Sequence, residues 1–177
     1  KKNFFPWLKN ELERRGYEVI VPELPNTNNP NVMGQVDYVL RKCKFNEKTI
    51  LLGHSLGSVV ALKVLEKLNK PIKKLILAAG LIEPKKKDRP YVGTFDWKFD
   101  FSKIKHNVND IFILRDLNDK VIKKNSADKI KNAIGGVIIN FEAEEEHITG
   151  EKEQVILNWC IDAWPIFTTR PDTLFGV

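Results

Sequence analysis

A mostly parallel α/β fold is predicted by two observations. Helical and strand-like periodicities alternate from residue 4 to residue 164, and the strand-like segments are short, apolar and rich in β-branched residues. With 42% apolar and 29% charged residues in a chain of 177, one sizeable core can be buried, and no repeat or low-complexity tract interrupts the alternation.

The elements follow in order. Residues 4–15 set Phe5, Leu8 and Leu12 on one helical face, Gly16 supplies a stop, and residues 17–21 (YEVIV) read as a strand. Pro22, Pro25 and Pro30 make a loop, after which Val36, Val39 and Leu40 recur at helical spacing over residues 32–43. Residues 49–52 (TILL) predict a buried central strand that runs into Gly53-His54-Ser55-Leu56-Gly57, with a helix over residues 58–69. Strands are expected at 73–79 and 111–114. The stretch between them, 80–109, holds Pro84, Pro90, Gly93 and a cluster of aromatics, and such an irregular insert is expected to cover the site side of the sheet. A short helix at 126–134, a Gly135-Gly136 stop, a last strand at 137–141 and a closing helix at 154–164 complete the pattern.

The formal charge of +6 comes from scattered lysines, Lys85, Lys86 and Lys87 being the tight run, and it lacks the arginine and aromatic interleaving of a nucleic-acid surface. Cys43 and Cys160 can build no disulfide framework and have no metal-ligand spacing, so no metal and no cofactor are expected, and a reducing cytoplasm is the expected setting. No apolar run reaches the roughly 18 residues that cross a bilayer, so no membrane partner is expected either. The start at Lys1 and the apolar end at residues 173–177 read as a piece of a longer frame.

Gly-X-Ser-X-Gly between a strand and a helix places its serine on a tight turn above the sheet edge. The two glycines leave room for backbone packing, and the N–H of Leu56 at the helix start is aimed at a developing oxyanion. A hydroxyl is a poor nucleophile near neutrality, so Ser55 needs a base and a group that orients the base. In the chain order nucleophile, acid, histidine, His147 follows the last strand, whereas His106 precedes the acid; His54 adjoins the nucleophile and is expected to pack. Asp116 and Asp119 both follow the strand at 111–114 and either could orient an imidazole; the Val121-Ile122 pair favours Asp119.

These residues resemble the small serine hydrolases that include retinoblastoma-binding protein nine and its bacterial relatives. The resemblance spans residues 1–160 and is carried by the helix at Trp7-Leu8, by KTILLGHSLG at 48–57, by Phe95-Asp96-Trp97 with Lys103-Ile104-Lys105, by the acid loop and by His147. It implies a three-layer α/β-hydrolase-like sheet with the triad on Ser55, Asp119 and His147 and with Asp96 and Trp97 near the pocket mouth; His54, next to the nucleophile, is expected to pack by the same pocket. The substrate it implies is a small-molecule or acyl compound, an ester, amide or thioester cleaved through an acyl-serine. The chain departs from the family pattern at Lys120, where proline usually follows the acid, and at Glu146, where glycine usually precedes the histidine. The family's first strand and its His-Gly loop are also absent ahead of Lys1.

A second resemblance lies in residues 167–177 (FTTRPDTLFGV), which are similar to the threonine-rich editing segment of leucyl-tRNA synthetases. It implies an editing-pocket role for Thr168, Thr169, Arg170, Asp172 and Thr173, and tRNA as a partner of a parent polypeptide. The expected organisation is a hydrolase-like domain at 1–162 followed by the start of the editing-like segment at 163–177. The competing expectation is a fragment of a leucine-tRNA ligase in which the hydrolase fold is a non-catalytic binding module.

Overall fold

In the computed structural model, which describes residues 3–84 and 97–161, four parallel strands lie in chain order across one sheet: β1 (Ile50–His54), β2 (Ile72–Ala78), β3 (Val108–Asp116) and β4 (Val137–Phe141). Leu52 pairs with Ile76, Ile76 with Phe112, and Phe112 with Val137. Each crossover is helical, as parallel pairing requires. Six helices are seen among the described residues: α1 (Phe5–Glu13), α2 (Val32–Lys42), α3 (Leu56–Lys67), α4 (Phe101–His106), α5 (Ser126–Ile134) and α6 (Gln154–Cys160).

Strand alternation divides the core into two layers. Leu75 and Leu77 of β2 and Ile113 of β3 face a cluster built with Val36, Leu62, Leu65, Ile104 and Ile130 from α2 to α5. Ile76, Ala78, Phe112 and Leu114 face the other way, onto Leu8 and Leu12 of α1 and Ile156, Leu157 and Trp159 of α6. The fold is therefore three-layered, and both faces of β2 are buried, which is why its sequence reads as a nearly continuous apolar run.

Single side chains set several helix ends. Asn31 caps α2 through the Gly34 N–H at 3.0 Å. At the far end of α3, the buried Asn107 amide donates to the carbonyls of Leu65 and Leu68, both at 2.8 Å, while its own carbonyl accepts from Ile72 at 3.0 Å. One residue thus closes α3, starts β2 and ends α4.

Three expectations are corrected. Residues 17–21 form no strand: the Val19 carbonyl accepts from Lys9 Nζ at 2.9 Å, Tyr17, Ile20 and Val21 are exposed, and alternation without a ladder partner does not make a strand. β1 is not central among the described residues, where β2 is its one strand neighbour, and Ile50, Leu51 and Leu52 are accordingly half-buried. Inside the expected irregular stretch lies α4, capped by Asp100 through the Lys103 N–H at 2.9 Å.

Candidate active site

Parallel strands deliver their C-terminal ends to one rim, and residues following β1, β3 and β4 meet there. At the end of β1 the chain reverses through Ser55, whose φ of +53° and ψ of −125° are rarely adopted outside glycine. The turn is held from below. A Cβ on Gly53 would lie 2.7 Å from Ser58 Cα and 2.8 Å from the Gly57 carbonyl oxygen, so only glycine fits. Gly57 differs from the expectation, since a Cβ there meets nothing within 4 Å. Ser58, fully buried, donates from Oγ to the Ser55 carbonyl at 2.6 Å and accepts from the Leu81 N–H at 3.1 Å, tying the turn to the chain leaving β2.

The acid loop follows β3. Asp119 Oδ1 accepts from the N–H groups of Val121 at 2.6 Å and Ile122 at 2.9 Å, which leaves Oδ2 to face His147 Nδ1 at 2.9 Å. On the other side of the same imidazole, Nε2 lies 2.9 Å from Ser55 Oγ. The His147 and Asp119 side chains are only 12% and 6% exposed, so water competes little for either bond. Burial would push the Asp119 carboxyl up; the His147 bond and the Ile122 and Val121 N–H groups outweigh it and hold it below the ordinary carboxylate value. A carboxylate at Nδ1 fixes the proton there and leaves Nε2 to accept from the serine hydroxyl.

Asp116, buried at the end of β3, does not touch the imidazole. Its Oδ1 accepts from the main chain of Asn118 at 3.0 Å and Ala143 at 3.3 Å, and its Oδ2 from the His147 N–H at 3.3 Å. His147 and Ile148 have φ of +64° and +53°, and the Ile148 side chain is completely buried in the α1 and α6 layer. The two residues that depart from the hydrolase pattern pair with each other: the Lys120 N–H, which proline would lack, donates to Glu146 Oε1 at 3.1 Å, a carboxylate that glycine would lack. The pair joins the acid loop to the histidine loop.

A family model of the α/β hydrolase fold matches residues 1–118, two thirds of the chain and inclusive of the serine turn. The chain belongs to the α/β hydrolase fold family. Within it, the chain is similar to the Bacillus subtilis (strain 168) protein named "Putative hydrolase YdeN", with 28% identity over 127 residues. That match takes in 68% of this chain and spans 65% of the length of the curated relative. The crystal structure of the ydeN gene product of B. subtilis superposes with a TM-score of 0.82 over 91% of this chain and 90% of that one, at 20% identity, a likeness of fold.

In this α/β hydrolase fold the other expected site residues fall as follows. Leu56 follows Ser55 and opens α3, so its N–H has no partner within the helix. His54 packs its ring in edge contact with Phe4 and Phe5 at 5.6 and 6.4 Å and lies 5.1 Å from the His147 ring, with its Nε2 2.9 Å from the His147 carbonyl. Trp97 packs half-buried on the α2 to α5 layer, and His106 is exposed at the end of α4, by the opposite rim. Asp96 and the residues 168–173 lie outside the described residues. Among the described residues no group of three or more His, Cys, Asp or Glu could hold a metal ion, and no helix is long and apolar enough to cross a membrane. Sequence reasoning missed Ser58 and the bracing role of Asp116. Ser58 left one signal, a hydroxyl in the first turn of a helix whose next four residues are apolar; Asp116 left none beyond its nearness to Asp119.

Proposed function

We propose that this α/β hydrolase cleaves esters, amides or thioesters through an acyl-Ser55 intermediate, in the manner of the small serine hydrolases. The observation that carries the reading is the unbroken chain of two 2.9 Å contacts from Asp119 through His147 to Ser55. Ser55 Oγ attacks the substrate carbonyl carbon while His147 Nε2 takes the hydroxyl proton. Asp119 steadies the imidazolium, and the Leu56 N–H donates to the oxyanion. Collapse of the tetrahedral species breaks the bond to the leaving alcohol, amine or thiol, which receives the proton from His147. Water, deprotonated by the same nitrogen, then releases the acid and restores Ser55.

The proposal is confined to the hydrolase. A parent synthetase, tRNA and an editing role rest on residues 167–177, outside both the described residues and the matched span. The test is covalent labelling by a fluorophosphonate. Wild-type chain is expected to be labelled on Ser55 and Ser55→Ala to be silent; equal labelling of both, or none of a folded wild type, removes the reading.

A further inference from the structure

The loop that presents His147 holds two consecutive residues in left-handed backbone, one of them β-branched. Such conformations cost about 1–3 kcal/mol each and persist only where surroundings over-determine them. Ile148 supplies an apolar anchor on one side, but a buried isoleucine fixes depth, not the rotation of the preceding peptide planes. Two side chains act on those planes. His54 reaches the carbonyl of His147 and Asp116 reaches its N–H, so both polar groups of one residue's main chain are gripped by side chains.

The origin of the two grips is informative. His54 is the last residue of β1 and the immediate neighbour of the nucleophile; Asp116 is the last residue of β3 and heads the turn that carries Asp119. Each strand end therefore contributes one group to the imidazole and one to the backbone beneath it. A carbonyl oxygen can only accept, so His54 Nε2 must carry a proton and donate. Burial pushes the His54 pKa down, partly offset by the bond to the His147 carbonyl, so the ring is neutral at neutral pH, with Nε2–H as donor and Nδ1 bare. Phe4 and Phe5 flank the ring edge-on, and the His147 imidazole lies tilted against it at 5.1 Å.

We infer that His54 is a positioning residue for the proposed base, clamping the His147 main chain together with Asp116 so that Nε2 is pre-aligned on Ser55 Oγ. The inference rests on the reading of Ser55, Asp119 and His147 as a triad. A misplacement of about 1 Å at a reacting atom costs on the order of 10²-fold in rate.

The experiment is saturation kinetics of fluorophosphonate labelling on the full chain, separating the maximal labelling rate from the half-saturating concentration, with thermal unfolding alongside. His54→Phe keeps the ring and its aromatic contacts but has no donor; His54→Gln restores an N–H at the same reach. Expected is a roughly 10–100-fold fall in maximal rate for His54→Phe, with half-saturation and Tm close to wild type, and recovery of most of that loss in His54→Gln. A wild-type maximal rate in His54→Phe overturns the clamp while leaving the triad standing, as does an equal loss in both variants accompanied by a lowered Tm, the mark of packing alone. Should His54→Phe fail to fold, Asp116→Asn carries the test. Its amide oxygen keeps the bonds that Oδ1 takes from Asn118 and Ala143, while its NH2 cannot accept from the His147 N–H, so a maximal rate lowered at unchanged half-saturation supports the clamp, whereas wild-type kinetics overturn it. A folded wild type that takes no label defeats the triad and the clamp together.

Discussion

Ser55 and His147 stand 2.9 Å apart and both sit in left-handed backbone, yet they are held by opposite means. The serine turn is wedged between close-packed main chains and rooted in α3, where residues 58–65 are all buried. The histidine loop has one apolar root, Ile148, and is otherwise braced by hydrogen bonds: its own N–H groups donate to Asp116 and Glu153, His54 donates to its His147 carbonyl, and Glu146 accepts from the Lys120 N–H. Packing has no angular preference finer than the shapes it fills, whereas hydrogen bonds do. A nucleophile needs only to be held still, while a base must be aimed at two partners at once.

The largest effect should come from the directional side. Asp119→Asn is expected to lower the labelling rate about 10³–10⁴-fold by admitting the wrong imidazole tautomer, with the fold retained. The same variant reports on pH. Asp119 is held low in the folded state, so its contribution is complete above the unfolded carboxylate value of about 3.9 and is lost as pH falls through the lower folded value. Wild type should therefore unfold at a higher temperature than Asp119→Asn at pH 7, and the two should converge in strong acid.

Next comes the apolar root of the polar loop. Ile148→Ala should cost about 2–5 kcal/mol in denaturant unfolding, because the side chain is fully buried. Should it instead cost less than Gly53→Ala, the contrast between the two regions fails. Gly53→Ala drives a methyl into main-chain atoms at 2.7 and 2.8 Å and should cost about 1–3 kcal/mol.

The smallest effect sharpens the comparison by sign. Burial pushes the Glu153 carboxyl up, partly relieved by the Gly150 N–H, with Glu144, Asp116 and Glu145 adding to the rise. An acid raised in the folded state favours folding once protonated and weighs against it when ionised, so stability declines as pH climbs through the folded value. Glu153→Gln keeps an acceptor for Gly150 and should raise Tm by roughly 1–3 °C at pH 8, a gain that vanishes towards pH 4.

How far the chain could be read before its fold was known follows the same division. Long periodic segments were legible: α2 and α5 begin at the residues expected and β4 matches at both ends, since hydrophobic period is a local property. The order of Ser55, Asp119 and His147 was legible because a strand, a turn and a helix bracket the first and strand ends precede the others. Residues 17–21 misled because alternation says nothing of whether a neighbouring strand exists. The short α4 hid among aromatics, its helical signal only six residues long. The grips of His54 and Asp116 on His147 span 93 and 31 positions, and no local pattern announces a side chain's choice of a distant peptide group.

Asn107 carries a consequence for the durability of the molecule. Its amide nitrogen serves two carbonyls at the end of α3 remote from the serine. Asn107→Asp exchanges that one nitrogen for one oxygen and turns two attractions into two repulsions inside the core. The helix would then fray from its far terminus while every group at the reactive rim stayed chemically intact, so a stability assay and an active-site titration of that variant would part company.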